Sequence, residues 1–256
     1  MLMLFTIFLI LIFLCWGSFL NVVAYRSISD LSFFIKRSVC PKCKKLINWY
    51  DNIPIISWII LKTKCRHCKE KISFLYPLIE GLTAIVMTAL FYKTFDSQNI
   101  FYFISYFIFF SALIVATRTD LQALVIPQVF SIWLVPVGLV FAYFNFIKIS
   151  LLESFLGAVI GYGVLWLTAK LFKYFAKKEG LGVGDMELLA MIGAFLGPLG
   201  AWFSLLLGSV LGLMLTAFYL ILTRQGKTTQ IPFGPFLALG ATFYFFFETV
   251  IVSFFL

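Results

Sequence analysis

Charge is what this sequence has least of. Only 12% of its 256 residues are Asp, Glu, Lys or Arg, against about 25% in a soluble globular protein, while 62% are hydrophobic, against about 45–50%. So much apolar surface does not fit inside one aqueous core, which excludes a soluble domain and places the chain in a bilayer, with lipid as its first partner. Histidine occurs once, at His67, in a short polar loop. That leaves Ser/His and Cys/His nucleophilic catalysis without a base anywhere else in the chain. The first apolar run has no small-residue cleavage site and more such runs follow, so it reads as a retained helix and not a removed signal peptide. Acidic residues are also outnumbered: the net charge is +9. In a soluble protein that excess would point to nucleic acid. Here it reports orientation in the membrane, and no nucleic-acid partner is expected.

What is present is a series of apolar segments. Residues 1–25 are long enough to cross once. Further spans are expected at about 74–92, 100–117, 129–147, 152–172, 187–199, 202–222 and from about 236 to 256. Pro136 and Gly138 should kink the fourth of these eight. Gly157, Gly161 and Gly163 in the fifth fit close helix contact. The sixth and seventh are split near Gly197-Pro198-Leu199-Gly200, with one long kinked helix as the alternative. Eighteen of the twenty Lys and Arg then fall on one side, and only Lys93 and Lys148 on the other. Merging the split pair would move Arg224 and Lys227 across, so the charge rule favours eight spans with both termini outside. The expected fold is an all-α polytopic membrane protein. It divides into a first helix (1–25), a polar cytoplasmic loop (26–73) and a seven-helix membrane core (74–256).

The polar loop holds eleven of the basic residues against Asp30, Asp51 and Glu70. Within it, Cys40-Pro-Lys-Cys43 is followed after twenty-one residues by Cys65-Arg-His-Cys68. Two C-x-x-C knuckles at this separation can present four thiolates tetrahedrally to zinc, and a reducing cytoplasmic face argues against disulfides. A loop with so little core of its own can draw folding energy from the metal. His67 reads as a bystander or outer-shell donor, and Cys15, inside the first span, as packing. The apolar piece 53–61 is too short to span and reads as an interfacial or packed helix.

Two carboxylates stand where apolar helices meet the cytoplasm: Asp120, after Arg118-Thr119, and Asp185, at the end of Gly180-Leu-Gly-Val-Gly-Asp. An acid at the mouth of a span is a functional hypothesis by default, set against the plainer reading of a capping aspartate. Brought together, two such carboxylates do not both ionise cheaply. One can polarise a peptide carbonyl as acid while the other draws a proton from water, which is aspartic-protease chemistry at the membrane boundary. Gly182 and Gly184 would let an extended substrate backbone approach Asp185.

These residues resemble the bifunctional type IV prepilin peptidases over nearly the whole chain. The likeness runs through Gly17-Ser-Phe-Leu-Asn-Val-Val with Arg26, the two cysteine pairs, and Trp49-Tyr-Asp-Asn-Ile-Pro54 with Ser57-Trp58. It continues in Ile72-Ser73, Tyr76-Pro77-x-x-Glu80, Asp120 with Ile126-Pro127, Gly180-x-Gly-x-Gly-Asp185, and Ile231-Pro-Phe-Gly-Pro235. The resemblance implies that Asp120 and Asp185 are the catalytic pair. It also implies removal of a short basic leader after glycine from prepilins or pseudopilins, at the inner membrane. The four-cysteine loop marks the branch that then methylates the new N-terminus with S-adenosylmethionine, and the resemblance assigns zinc to Cys40, Cys43, Cys65 and Cys68. Gln128 departs from the pattern, which often has Asp after that Ile-Pro. No glycine-rich loop of a soluble methyltransferase is visible, so the residues that bind S-adenosylmethionine stay unassigned. Asn21 and Glu80 are weak candidates, each more often a helix-packing polar group. The alternatives are a peptidase without methyl transfer, and a membrane transporter or assembly protein whose zinc loop docks partners and whose aspartates relay ions.

Overall fold

The computed structural model describes residues 2–29, 38–95, 99–178, 180–223 and 231–255. Asp30, Lys36, Arg37, Asp96, Arg224 and Lys227, which enter the charge map above, lie outside the described residues. The chain forms two compact units, residues 1–98 and 99–256.

In the first unit, α1 (Leu2–Ile28) packs along α3 (Leu75–Phe95), and between them in sequence lies the cysteine loop with the five-residue α2 (Ile56–Ile60). Small residues make the approach close. A methyl added at Gly17 would sit 2.8 Å from the Glu80 Cα and 3.0 Å from Thr83. The compact unit therefore includes the second apolar helix, whereas a division by polarity alone ends at residue 73.

In the second unit, α4 (Ile100–Ala123) leads through two short 3-10 turns, Gln128–Phe130 and Ile132–Leu134, to α5 (Val135–Tyr143). Then come α6 (Leu151–Ala176), α7 (Val183–Thr223) and α8 (Gly234–Phe255). Asn99 caps α4 by accepting the Phe101 N–H at 3.0 Å. Ser150 and Glu153 form a reciprocal capping box at the start of α6. α6 lies against α7, and α7 against α8. The core is aromatic: Phe109 stacks on Phe195 at 5.0 Å, and Phe245 meets Tyr106 at 4.4 Å and Phe110 at 5.1 Å.

Among the described residues, six helices are long and apolar enough to cross a membrane: α1, α3, α4, α6, α7 and α8. Their outward faces carry exposed Leu, Ile and Phe, as lipid contact requires. The expected fourth span is a shorter apolar stretch, Gln128–Tyr143. Its helix starts only at Val135, because Pro127 and the 3-10 turns occupy the residues before it. α7 runs for 41 residues but is broken at Gly197, with φ 75° and ψ −178°, a conformation open essentially to glycine alone. The two expected segments thus exist as the halves of one interrupted helix. The break frees carbonyls that lipid cannot satisfy. Ser154 Oγ donates to the Ala194 carbonyl at 2.6 Å and the Tyr106 hydroxyl to that of Phe195 at 3.4 Å.

Candidate active site and cysteine cluster

Asp120 lies in the last turn of α4, which ends at Leu124 in a left-handed cap whose N–H donates to the Asp120 carbonyl. The residue is 5% exposed, and its Oδ2 accepts the Gly234 N–H at 2.8 Å. Gly234 is the first residue of α8, so the carboxylate sits on the positive end of that helix. Asp185 is not the cap of α7. The helix begins at Val183, and Asp185, inside its first turn, accepts a hydrogen bond from the Gly182 backbone. Both acids belong to the same unit, and the Asp120 carboxylate is near enough to act on Asp185 electrostatically.

Ile126 packs against the glycines next to them, Gly184 before Asp185 and Gly234 beside Asp120. A methyl added at Gly184 would fall 3.0 Å from its Cβ, and one at Gly234 would fall 3.1 Å from its Cδ1 and 2.9 Å from Asp120 Oδ2. The glycines before Asp185 therefore have a packing use: Gly184 accommodates Ile126, and Gly180 accommodates the Phe172 ring. Among the described residues the only glycine at positive φ is Gly197, so residues 180–184 do not need the left-handed region. Gly182 is exposed beside the Asp185 carboxylate.

The four loop cysteines converge. Their sulfurs all lie within 4.8 Å of one another, and the Cys40 and Cys68 Sγ atoms are 3.9 Å apart. Tetrahedral thiolates at a Zn–S distance of about 2.3 Å would be spaced by about 3.8 Å. The donor set and its spacing thus fit a thiophilic metal. The two knuckles are copies of each other, each position of the first matched 25 residues later. Cys40 N–H donates to the Lys45 carbonyl at 2.9 Å, and Cys65 N–H to that of Glu70 at 2.8 Å. Lys44 and Lys69 turn the chain at φ 58° and 60°, and the pairs Val39–Leu46 and Lys64–Lys71 close each knuckle. The Cys68 backbone N–H and then that of His67 lower the Cys65 thiol to about 7, favouring the ligating thiolate. His67 itself is exposed and outside the sulfur cluster. Asp51 reaches across from the short turn Trp49–Asn52 to grip Arg66 with both carboxylate oxygens, at 2.8 and 2.6 Å.

Comparison with known proteins gives two family matches: the bacterial peptidase A24 N-terminal domain over residues 11–94, and the type IV leader peptidase family over residues 107–217. The chain is 34% identical over 248 residues to a type 4 prepilin-like proteins leader peptide-processing enzyme of Escherichia coli O78:H11, covering 89% of each chain. It belongs to the type IV leader peptidase family. It is also 33% identical to a prepilin leader peptidase/N-methyltransferase of Aeromonas hydrophila (88% of this chain, 84% of the relative). With the protein of that name from Pectobacterium carotovorum it shares 32% identity (89% and 88%). No solved structure matches.

In this leader peptidase family member, Asn21 and Glu80 hold backbone. Asn21 Nδ2 donates to the Tyr76 carbonyl at 3.1 Å. Glu80, 6% exposed, accepts the Ile55 N–H at 2.7 Å. Ile55 has φ 60° and ψ −50°, a tight turn closed by Ile56 N–H donating to the Pro54 carbonyl at 2.6 Å. A β-branched residue persists there only where its surroundings over-determine it, and the buried carboxylate is part of what holds it. Sequence reasoning missed Gly234 and Ile126 as neighbours of Asp120, although both sit in motifs it singled out. It also left Glu187 without a role. Gln128, the departure from the family pattern, donates to Glu187 Oε1 at 2.9 Å.

Proposed function

We propose that this chain is a membrane aspartic endopeptidase that removes the basic leader from type IV prepilins or pseudopilins after glycine, and then N-methylates the new N-terminal residue. The observation that carries the reading is that Asp120 and Asp185 lie within electrostatic reach of each other in a chain of this family. Of two adjacent carboxyl groups, one serves as acid on the scissile carbonyl and the other as base for water. The Gly234 N–H fixes one oxygen of Asp120 and leaves the other for substrate or water. The extended stretch of a prepilin ahead of its hydrophobic helix fits beside exposed Gly182. Asp120, Asp185 and the cysteine loop lie at the cytoplasmic face of the inner membrane, with both termini outside. This follows the distribution of Lys and Arg.

Cys40, Cys43, Cys65 and Cys68 hold zinc as a structural ion, which supplies the loop with the folding energy its small core lacks. S-adenosylmethionine supplies the methyl group. The first unit is the place for that second activity, because its cysteine loop is what marks the bifunctional branch. A basic leader suits the same charge rule as the enzyme and would hold the scissile bond at the cytoplasmic surface.

The test is cleavage of a prepilin from the same cell by detergent-purified wild type, D120N and D185N, with product N-termini read by mass spectrometry with and without S-adenosylmethionine. Both folded variants should lose cleavage, and wild type should add one methyl mass only with the cofactor. A variant that still cuts normally would remove its aspartate from the pair. Cleavage without methylation would leave a peptidase with a structural loop.

A further inference from the structure

One buried acid beside the aspartates has no part in this chemistry. Glu187 is 6% exposed and stands two residues past Asp185 on α7. Each of its carboxylate oxygens has a donor from the same short segment: Gln128 Nε2 at 2.9 Å on Oε1, and Ser131 Oγ at 3.1 Å on Oε2. That segment is irregular. Ser131 is fully buried at the junction of the two 3-10 turns, with φ −133° and ψ −96°, away from the ordinary wells. Just before it comes Ile126, which packs on Gly184 and Gly234, next to Asp120 Oδ2. A buried carboxylate is costly unless hydrogen-bonded, and when bonded on both oxygens it fixes its donors firmly.

We infer that Glu187 is a positioning residue for peptide cleavage. Through Gln128 and Ser131 it pins residues 126–131 to α7 and so sets the Ile126 wedge between the first turn of α7, which carries Asp185, and the start of α8, whose Gly234 N–H holds Asp120. It does not touch the substrate. The inference rests on the peptidase reading above.

The test exchanges amide and carboxylate. Q128E sets two acids against each other; E187Q keeps the shape but not the charge. The double variant Q128E/E187Q rebuilds the amide–carboxylate bond in reverse, and the amide then at position 187 still offers an oxygen to Ser131. Q128E should lower kcat for prepilin cleavage about tenfold to a hundredfold with KM nearly unchanged, the scale of a small misplacement at a reacting centre. The double variant should recover to within roughly threefold of wild type, since contacting residues couple. Melting temperature and methylation of a pilin already lacking its leader report folding independently of cleavage. Q128E cutting at the wild-type kcat, or a folded double variant no better than the single one, would overturn the inference. Should Q128E fail to fold, S131A decides: a fall in kcat at constant KM supports the role and no change overturns it. Wild type that cuts no prepilin would instead overturn the peptidase reading, and this inference with it.

Discussion

At position 234 a single methyl group is enough to disturb the aspartate site, because the space it would take lies 2.9 Å from Asp120 Oδ2. Gly234 is not at positive φ, so alanine is compatible with its backbone; what is missing is room. The group that must give is the Asp120 carboxylate. G234A should therefore lower kcat for cleavage by about tenfold to a hundredfold while leaving methylation of a leaderless pilin near wild type. A wild-type kcat would mean that Asp120 moves without penalty. In the cysteine loop, the Arg66 guanidinium holds the Asp51 carboxyl below its usual range by hydrogen bonding. The sign follows: the stabilisation is present above the ordinary carboxylate titration, near pH 4, and is lost as pH falls through the lowered value. D51N should release zinc to a chelator up to about fivefold faster, as a surface pair allows. That gap should be the same at pH 7 and pH 5, since Asp51 stays ionised across both. A gap that closes between them would show the pair is not what holds the knuckle.

Helix by helix, the apolar segments and the break in α7 were legible from run length and from Gly197-Pro198. Which helix touches which was not. In water an apolar stripe points to the core, but in lipid every face is apolar, so periodicity carries no neighbour information. Glycine is the remaining signal, and it is partial. Gly157 and Gly161 of α6 do face α7, where added methyls would overlap the Gly193 and Leu189 carbonyls, whereas Gly163 has nothing within 4 Å. Ser154 and Tyr106, which satisfy the carbonyls freed at the break, carry no local signature because their partners are 40 and 89 residues away. G157A should force α6 off α7 and destabilise the protein by about 1–3 kcal/mol, read as a lower melting temperature in detergent. G163A should not.

For the whole molecule, the reading proposed above assigns the two activities to different stretches of chain. Asp120 and Asp185 belong to residues 99–256, and the cysteine cluster to residues 1–98. Stripping the metal with a strong thiophilic chelator should abolish methylation and leave leader cleavage within about twofold, as expected of two sites that share no partners. Loss of both together would tie the peptidase to the loop. The site was half legible for the same reason. Its acids announce themselves at the ends of apolar runs, but the Gly234 N–H that orients Asp120 comes from 114 residues away, and backbone groups have no letter in a sequence. The doubling of the knuckles bears on supply. Each copy offers two sulfurs, and neither half is a site until the other closes on it. Because one ion needs all four sulfurs, each molecule in a zinc-starved cell would be either charged or empty. On the proposed reading, the rate of pilus-subunit methylation would then decline in direct proportion to the charged fraction, a dose meter and not a threshold.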